Sequence, residues 1–207
     1  MTKEEKREAV LEAASEVLME LGAHKTTLDD IARRAGMAKT SLYYYFRDKN
    51  EIICAIVQRY TEHLLDIMAE AAAGEDTAEG KMYALIEARF RFIAEKARRA
   101  SKEVIQEFRS LEGVFEPEKD LYLQAHLDLV RGILEYGVAK GEIPPMDNLD
   151  LVSLILISSM FGCDRTFTFY DQPDRILEAM KQMNHIFFTG LKNVEGPARG
   201  ARGVPRP

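Results

Sequence analysis

Apolar positions recur along the chain at intervals of three and four, and no stretch alternates apolar and polar residues as a half-buried strand would. The pattern predicts an all-α protein of about nine helices. The first runs over 3–21, with Val10, Ala13, Ala14, Val17, Leu18 and Leu21 on one face, and stops at Gly22. A short second helix over 28–35 stops at Gly36, and Thr27 with Asp30 three residues on resembles a capping box in which Asp stands in for Glu. A third, shorter still, covers 39–45. A long amphipathic helix follows over 49–73, carrying Ile52, Ile56, Tyr60, Leu64, Ile67 and Met68 at helical spacing. Further helices are predicted over 78–98, 101–113, 117–140, 147–170 and 173–192, punctuated by Gly113, Pro117, Gly141, Pro144, Pro145 and Pro173. The pattern divides the chain into a small domain, 1–48, and a larger helical one, 49–192. The tail 193–207, rich in Gly, Pro and Arg, is expected to be disordered.

The second and third helices are each too short to stand alone. Ile31 and Ala32 on one, Leu42 and Phe46 on the other, are spaced to share a small core with the first helix. Gly36 supplies a turn residue that tolerates φ > 0, and Met37 can plug the angle between the helices. Helix, tight turn, helix is the helix-turn-helix arrangement, whose second helix enters the DNA major groove. Residues 43–45 are three consecutive tyrosines, and neighbours on a helix are about 100° apart, so they cannot all face one core. Leu42 and Phe46 face inward at i, i+4. Lys39 and Tyr43 form an outward stripe, with Ser41 and Tyr45 on the flank.

On the DNA reading, Lys39, Thr40 and Tyr43 meet base edges, lysine at guanine acceptors and Thr or Tyr at a thymine methyl. Thr26, Thr27, Ser41, Tyr44, Tyr45 and Lys49 are then the candidates for phosphate contacts. By periodicity alone, so aromatic a short helix is more often ordinary core or a protein interface.

The 207-residue chain has a net charge of −6, which for the whole molecule argues against nucleic acid. The distribution changes that picture. Between Gly22 and Lys49 the cations Lys25, Arg33, Arg34, Lys39, Arg47 and Lys49 outnumber Asp29, Asp30 and Asp48, leaving a local charge of +3. A basic segment on an acidic body suits a protein that meets phosphate with one end only. The two cysteines, Cys54 and Cys163, exclude a disulfide framework or a multi-cysteine metal site, and the histidines lack local metal-ligand spacing. No metal and no cofactor is expected. The most apolar run, 151–163, is too short to span a membrane, and the charged N-terminus lacks a secretion signal, so a cytoplasmic protein is expected.

In order, Thr26-Thr27, Ile31-Ala32, Ala35-Gly36-Met37, Leu42-Tyr43-Tyr44-Tyr45-Phe46 and Lys49 match a known pattern. Over about 45 residues the N-terminus closely resembles the DNA-binding domain of the TetR family of bacterial helix-turn-helix transcriptional regulators. The remaining chain is similar only in length and helical pattern. Two positions depart from the family. Ala38 stands where Ser or Thr usually caps the recognition helix, a loss of roughly 0.5–2 kcal/mol. Tyr45 replaces a common histidine.

The resemblance implies a larger domain that binds a small ligand and dimerises, so that paired recognition helices read an inverted-repeat DNA operator until an effector releases them. It implies a repressor rather than an activator. For the effector pocket the candidates are Tyr60, Leu64, Met68, Arg89, Phe90, Ile93, Phe108, Tyr122, Phe161 and Arg165, each of which suits plain core filling as well. For a homodimer interface they are Leu151, Ile155, Ser158, Ser159 and Gly162 on one helix and Ile176, Met180, Met183 and Phe187 on the last. Two other classes fit the sequence less well. A helical-bundle enzyme lacks any G-x-x-x-x-G-K, H-E-x-x-H or E-x-x-H motif, and a dimeric scaffold leaves the basic segment unexplained.

Overall fold

The computed structural model describes residues 2–99, 101, 116–167 and 172–193. Among these residues it contains eight helices and no strand: α1 (Lys3–Leu21), α2 (Leu28–Arg34), α3 (Lys39–Leu42), α4 (Lys49–Ala73), α5 (Ala78–Arg99), α6 (Glu116–Ala139), α7 (Leu149–Phe167) and α8 (Pro173–Lys192). All but residue 101 of the expected helix over 101–113 and the tail 194–207 lie outside the described residues, as do Phe108 and the side chain of Arg165.

The helix ends follow from local chemistry. Thr2 caps α1 through a reciprocal box with Glu5, and Gly22, at φ 83°, ends it with its N–H on the Leu18 carbonyl. Thr27 and Asp30 form the expected box on α2. The α3 helix is shorter than predicted. After Leu42 the chain tightens, with the N–H groups of Tyr44 and Tyr45 bonding to the carbonyls three residues back, on Ser41 and Leu42. Its cap position, Ala38, offers no side-chain acceptor, so nothing local prolongs the first turn.

The chain forms two compact units, one of Met1–Asp66 with Arg91–Gln124, the other of Ile67–Phe90 with Ala125–Pro207. The division therefore runs through α4, α5 and α6.

The first unit has a core of Val10, Leu11, Ala14 and Leu18 from α1, Ile31 and Ala32 from α2, Leu42, Phe46, and Ile52, Ile53 and Ile56 from α4. Leu28, Ala35, Met37, Tyr45 and Tyr60 pack around it. Gly36 takes φ 66°, and the Met37 N–H closes the turn on the Ala32 carbonyl at 2.9 Å. The second unit has its own core, including Met82 and Leu85 on α5, Val130 and Leu134 on α6, Ile157 on α7 and Phe188 on α8.

Leu42 is fully buried in a helix of only four residues, so core contact rather than helix propensity holds α3. Leu42→Ala is expected to cost about 2–5 kcal/mol of the first unit's stability in denaturant unfolding, at the scale of cavity-forming substitutions.

Candidate nucleic-acid interface

The three tyrosines divide by the geometry of α3. Tyr43 and Tyr44 are 50% and 82% exposed, while Tyr45 is half-buried with its ring against the core of the first unit. Lys39 and Thr40 are exposed beside them, and Ser41 is half-buried. Burial of Leu42 and Phe46 thus turns Lys39, Thr40, Tyr43 and Tyr44 outward, as one surface rich in hydroxyls and aromatic carbon. Tyr45, expected at a phosphate, instead packs inward because its flank of α3 meets that core.

Two other candidates are used differently from the sequence expectation. Thr26 is buried, and its hydroxyl donates to the Gly22 carbonyl at 2.6 Å, so it closes the loop after α1 instead of facing phosphate. The Lys49 ammonium donates to the carbonyls of Ala23 and Thr26 at 2.6 and 2.9 Å, tying the start of α4 to that same loop. Two of its three N–H bonds are therefore directed inward. Thr27 remains on the surface as the α2 cap, its hydroxyl bonded to the carboxylate and N–H of Asp30. That hydroxyl, then the Thr27 backbone N–H, holds the Asp30 carboxyl below the usual carboxylate range.

The basic segment is largely paired within the protein. Arg33 meets Asp30, Arg34 bridges from α2 to Glu16 and Glu20 on α1, and Arg47 meets Glu51. The Lys39 ammonium lies 2.6 Å from Asp29, whose hydrogen bond and charge raise the lysine pKa above its ordinary value. At neutral pH Lys39 is a fixed cation with a carboxylate beside it.

The pocket candidates fall in different surroundings. Tyr60 points into the first unit, with its hydroxyl 2.6 Å from Ser15 on α1 and its ring under the Lys96 ammonium, so it is a packing residue of that unit. Leu64 is buried, and Ile93 and Tyr122 are half-buried in the same unit. In the second unit Met68 and Phe90 are buried, and Arg89 is brought together with Phe161, its guanidinium 4.7 Å from the ring centre. The sequence did not single out His126, which completes this cluster. It too is buried, edge-on to Phe161, with Nε2 3.2 Å from Nη1 of Arg89. Because a guanidinium only donates, Nε2 accepts and the imidazole proton sits on Nδ1. Only the i, i+4 relation of Tyr122 and His126 on α6 hinted that the histidine shares a face with a pocket candidate.

On α7 the dimer candidates Leu151, Ile155, Ser158, Ser159 and Gly162 are all exposed. On α8 the exposed row is rotated from the expected stripe. Ile176 is buried with Leu177, Asn184 and Phe188, Met180 and Phe187 are half-buried, and Met183 faces solvent together with Ile186. Asn184 explains the rotation: its amide donates to the Glu79 carbonyl on α5, which turns its own face inward. Burial pushes the Glu79 carboxyl up, but hydrogen bonds from His185 and Lys192 outweigh it and hold the pKa below the ordinary value. Among the described residues no group of three or more His, Cys, Asp or Glu could hold a metal, and no helix is long and apolar enough to cross a membrane.

Lys49→Met is expected to lower the unfolding free energy by about 1–3 kcal/mol, the worth of charge-assisted hydrogen bonds. The salt dependence of any DNA binding should stay unchanged, and measuring both on one preparation separates a structural lysine from a phosphate contact.

Residues 10–56 match the family described as bacterial regulatory proteins, tetR family. Over 186 residues, 89% of this chain and 94% of the relative, the sequence is 24% identical to the fatty acid metabolism regulator protein of Bacillus subtilis strain 168. The fold is shared with the fatty acid degradation regulator FadR from Bacillus halodurans, with a TM-score of 0.70, 22% identity and coverage of 92% of this chain and 97% of that one. It is shared also with FadR of Bacillus subtilis in complex with stearoyl-CoA, with a TM-score of 0.64, 22% identity and coverage of 90% and 98%. A helix-turn-helix core that turns Lys39, Tyr43 and Tyr44 outward lies within the matched segment: residues 10–56 form a tetR-family domain of bacterial regulatory proteins, and the chain as a whole is similar to transcriptional regulators.

Proposed function

We propose that this regulator acts as a homodimer that holds an inverted-repeat operator and releases it when a small acyl ligand binds its larger helical domain. The observation that carries the DNA contacts is the outward face of α3. Lys39, Thr40 and Tyr43 read base edges in the major groove, while Tyr44, Ser41 and Thr27 meet phosphates at its walls. One helix of so few residues reads too short a site to be selective, and two copies spaced by a helical turn or a multiple supply the rest.

Support for the homodimer comes from the second unit. Leu151 and Ile155 on α7 and Met183 and Ile186 on α8 are each more than half exposed, an unusual outlay of large apolar side chains on two helices. Ser158, Ser159 and Gly162 continue the α7 row with side chains small enough for close helix approach. A twofold axis through such a face pairs the same residues from both copies.

The ligand class is suggested by the relatives, one named for fatty acid metabolism and one bound to stearoyl-CoA. Within this chain, Arg89 and His126 place a buried cation and imidazole in a unit whose surroundings include Met82, Leu85 and Phe90. Apolar carbon with one guanidinium matches a ligand that is mostly acyl chain with an anionic group. Because α4 contributes residues to both compact units, it gives a covalent route from ligand to recognition helix. A coupling of about 2–3 kcal/mol suffices for a thirty- to 150-fold loss of DNA affinity.

Selection of bound fragments from random DNA is expected to return an inverted repeat. Tyr43→Ala should weaken binding to it by more than about tenfold, with a far smaller loss on random duplex. Long-chain acyl-CoA added to the complex should release the DNA, and a repeat that resists every acyl-CoA length would remove this ligand class. Ile155→Asp is expected to leave a folded monomer in sedimentation experiments, whereas an unaltered dimer would place the interface elsewhere.

A further inference from the structure

Among the exposed cations of the first unit, Lys39 stands in an unusual position. It opens α3 beside Thr40 and Tyr43, yet its ammonium is 2.6 Å from a carboxylate ten residues earlier, on Asp29. The turn around Gly36 brings the two together, and both side chains remain substantially exposed. Asp29 is not the cap of its own helix, a role already filled by Thr27 and Asp30. A protein built only to attract DNA would not place an acid there, because each phosphate contact adds affinity regardless of sequence.

We infer that Asp29 is a specificity-determining residue, which cancels the attraction of Lys39 for phosphate and leaves the pair satisfied only against a base edge of matching polarity. The inference rests on the reading of the α3 face as the DNA-contacting surface. Against a phosphate, Lys39 gains an anion but Asp29 meets a second negative charge. Against a G·C pair, the major groove presents guanine N7 and O6 as acceptors for the ammonium, and the cytosine N4 amino group as a donor to the carboxylate. An A·T pair also carries a donor, the adenine N6 amino group, but sets it between the N7 and thymine O4 acceptors, so its polarity pattern differs from the two adjacent acceptors and outer donor of G·C. The pair therefore loses little on the correct site and much on the wrong one, which is how repulsive elements create discrimination.

The test compares wild type, Asp29→Asn, Lys39→Gln and the double variant on the selected repeat and on random duplex, by fluorescence anisotropy across a salt series. One more phosphate contact adds about 0.9 to the magnitude of the log–log salt slope, or roughly eightfold in affinity at about 0.1 M salt. Asp29→Asn is expected to gain that much on random DNA and less than about twofold on the repeat. Specificity should fall accordingly, and the gain should vanish in the double variant. Asp29→Glu, which keeps the charge, should retain the wild-type ratio, and thermal melts confirm that each variant is folded. Equal gains on both DNAs, no gain on random DNA, or a gain that survives Lys39→Gln would each overturn the inference. Wild type that selects no sequence at all would overturn the DNA-contact reading itself, whereas normal selection with an indifferent Asp29→Asn would sink only the role of Asp29.

Discussion

The outward face of α3 depends on one packing contact, the burial of Leu42 and Phe46 against α1, α2 and α4. The α2 and α3 helices have seven and four residues, and segments of that length do not hold a helical shape in water. Their geometry is borrowed from the core that Val10, Leu11, Ile31, Ile52 and Ile53 form around them. Once Leu42 and Phe46 are fixed inside, helical rotation leaves Tyr43 and Tyr44 no inward place. The loop between α1 and α2 is secured with equal care. Thr26 bonds to Gly22, and Lys49 reaches across from α4 to the carbonyls of Ala23 and Thr26, which ties the start of the long helix to the approach to α2.

Charge on this unit is arranged for restraint as much as for attraction. Arg33, Arg34, Lys39 and Arg47 each have a carboxylate within 3.2 Å, so the local positive charge seen along the sequence is largely neutralised within the fold. Exposed pairs of this kind contribute little to stability. Their consequence falls on association, since a cation already paired gives DNA less sequence-independent attraction. A regulator that must find one site among many benefits from weak binding everywhere else.

The second unit combines two features that a self-sufficient helical bundle does not need. Its interior holds Arg89 over the Phe161 ring and His126 edge-on to it, and its surface shows Leu151, Ile155, Met183 and Ile186 to water. Buried polarity and exposed apolar carbon both run against the usual partition of side chains. Both features fit the ligand and the second copy proposed for this unit, as the outward face of α3 fits the DNA contact proposed for the first.

Periodicity alone was enough to determine the all-helical class, the α2 cap at Thr27 and Asp30, the turn at Gly36, and the inward roles of Ile31, Leu42 and Phe46. These depend on spacing along one short segment, where helical rotation and a single glycine leave few alternatives. What a side chain does when several faces compete was decided only by tertiary contact. Thr26 and Lys49 carry the right chemistry for phosphate, but nearby backbone carbonyls take their donors. Tyr45 and Tyr60 are drawn to the core of the first unit, and Ile176 turns inward because Asn184 on the same helix bonds to Glu79. The pairing of Lys39 with Asp29 and of Arg89 with His126 joins residues on different helices, ten and 37 positions apart. Such pairs arise where two helices meet, and periodicity describes each helix without saying which neighbour it meets.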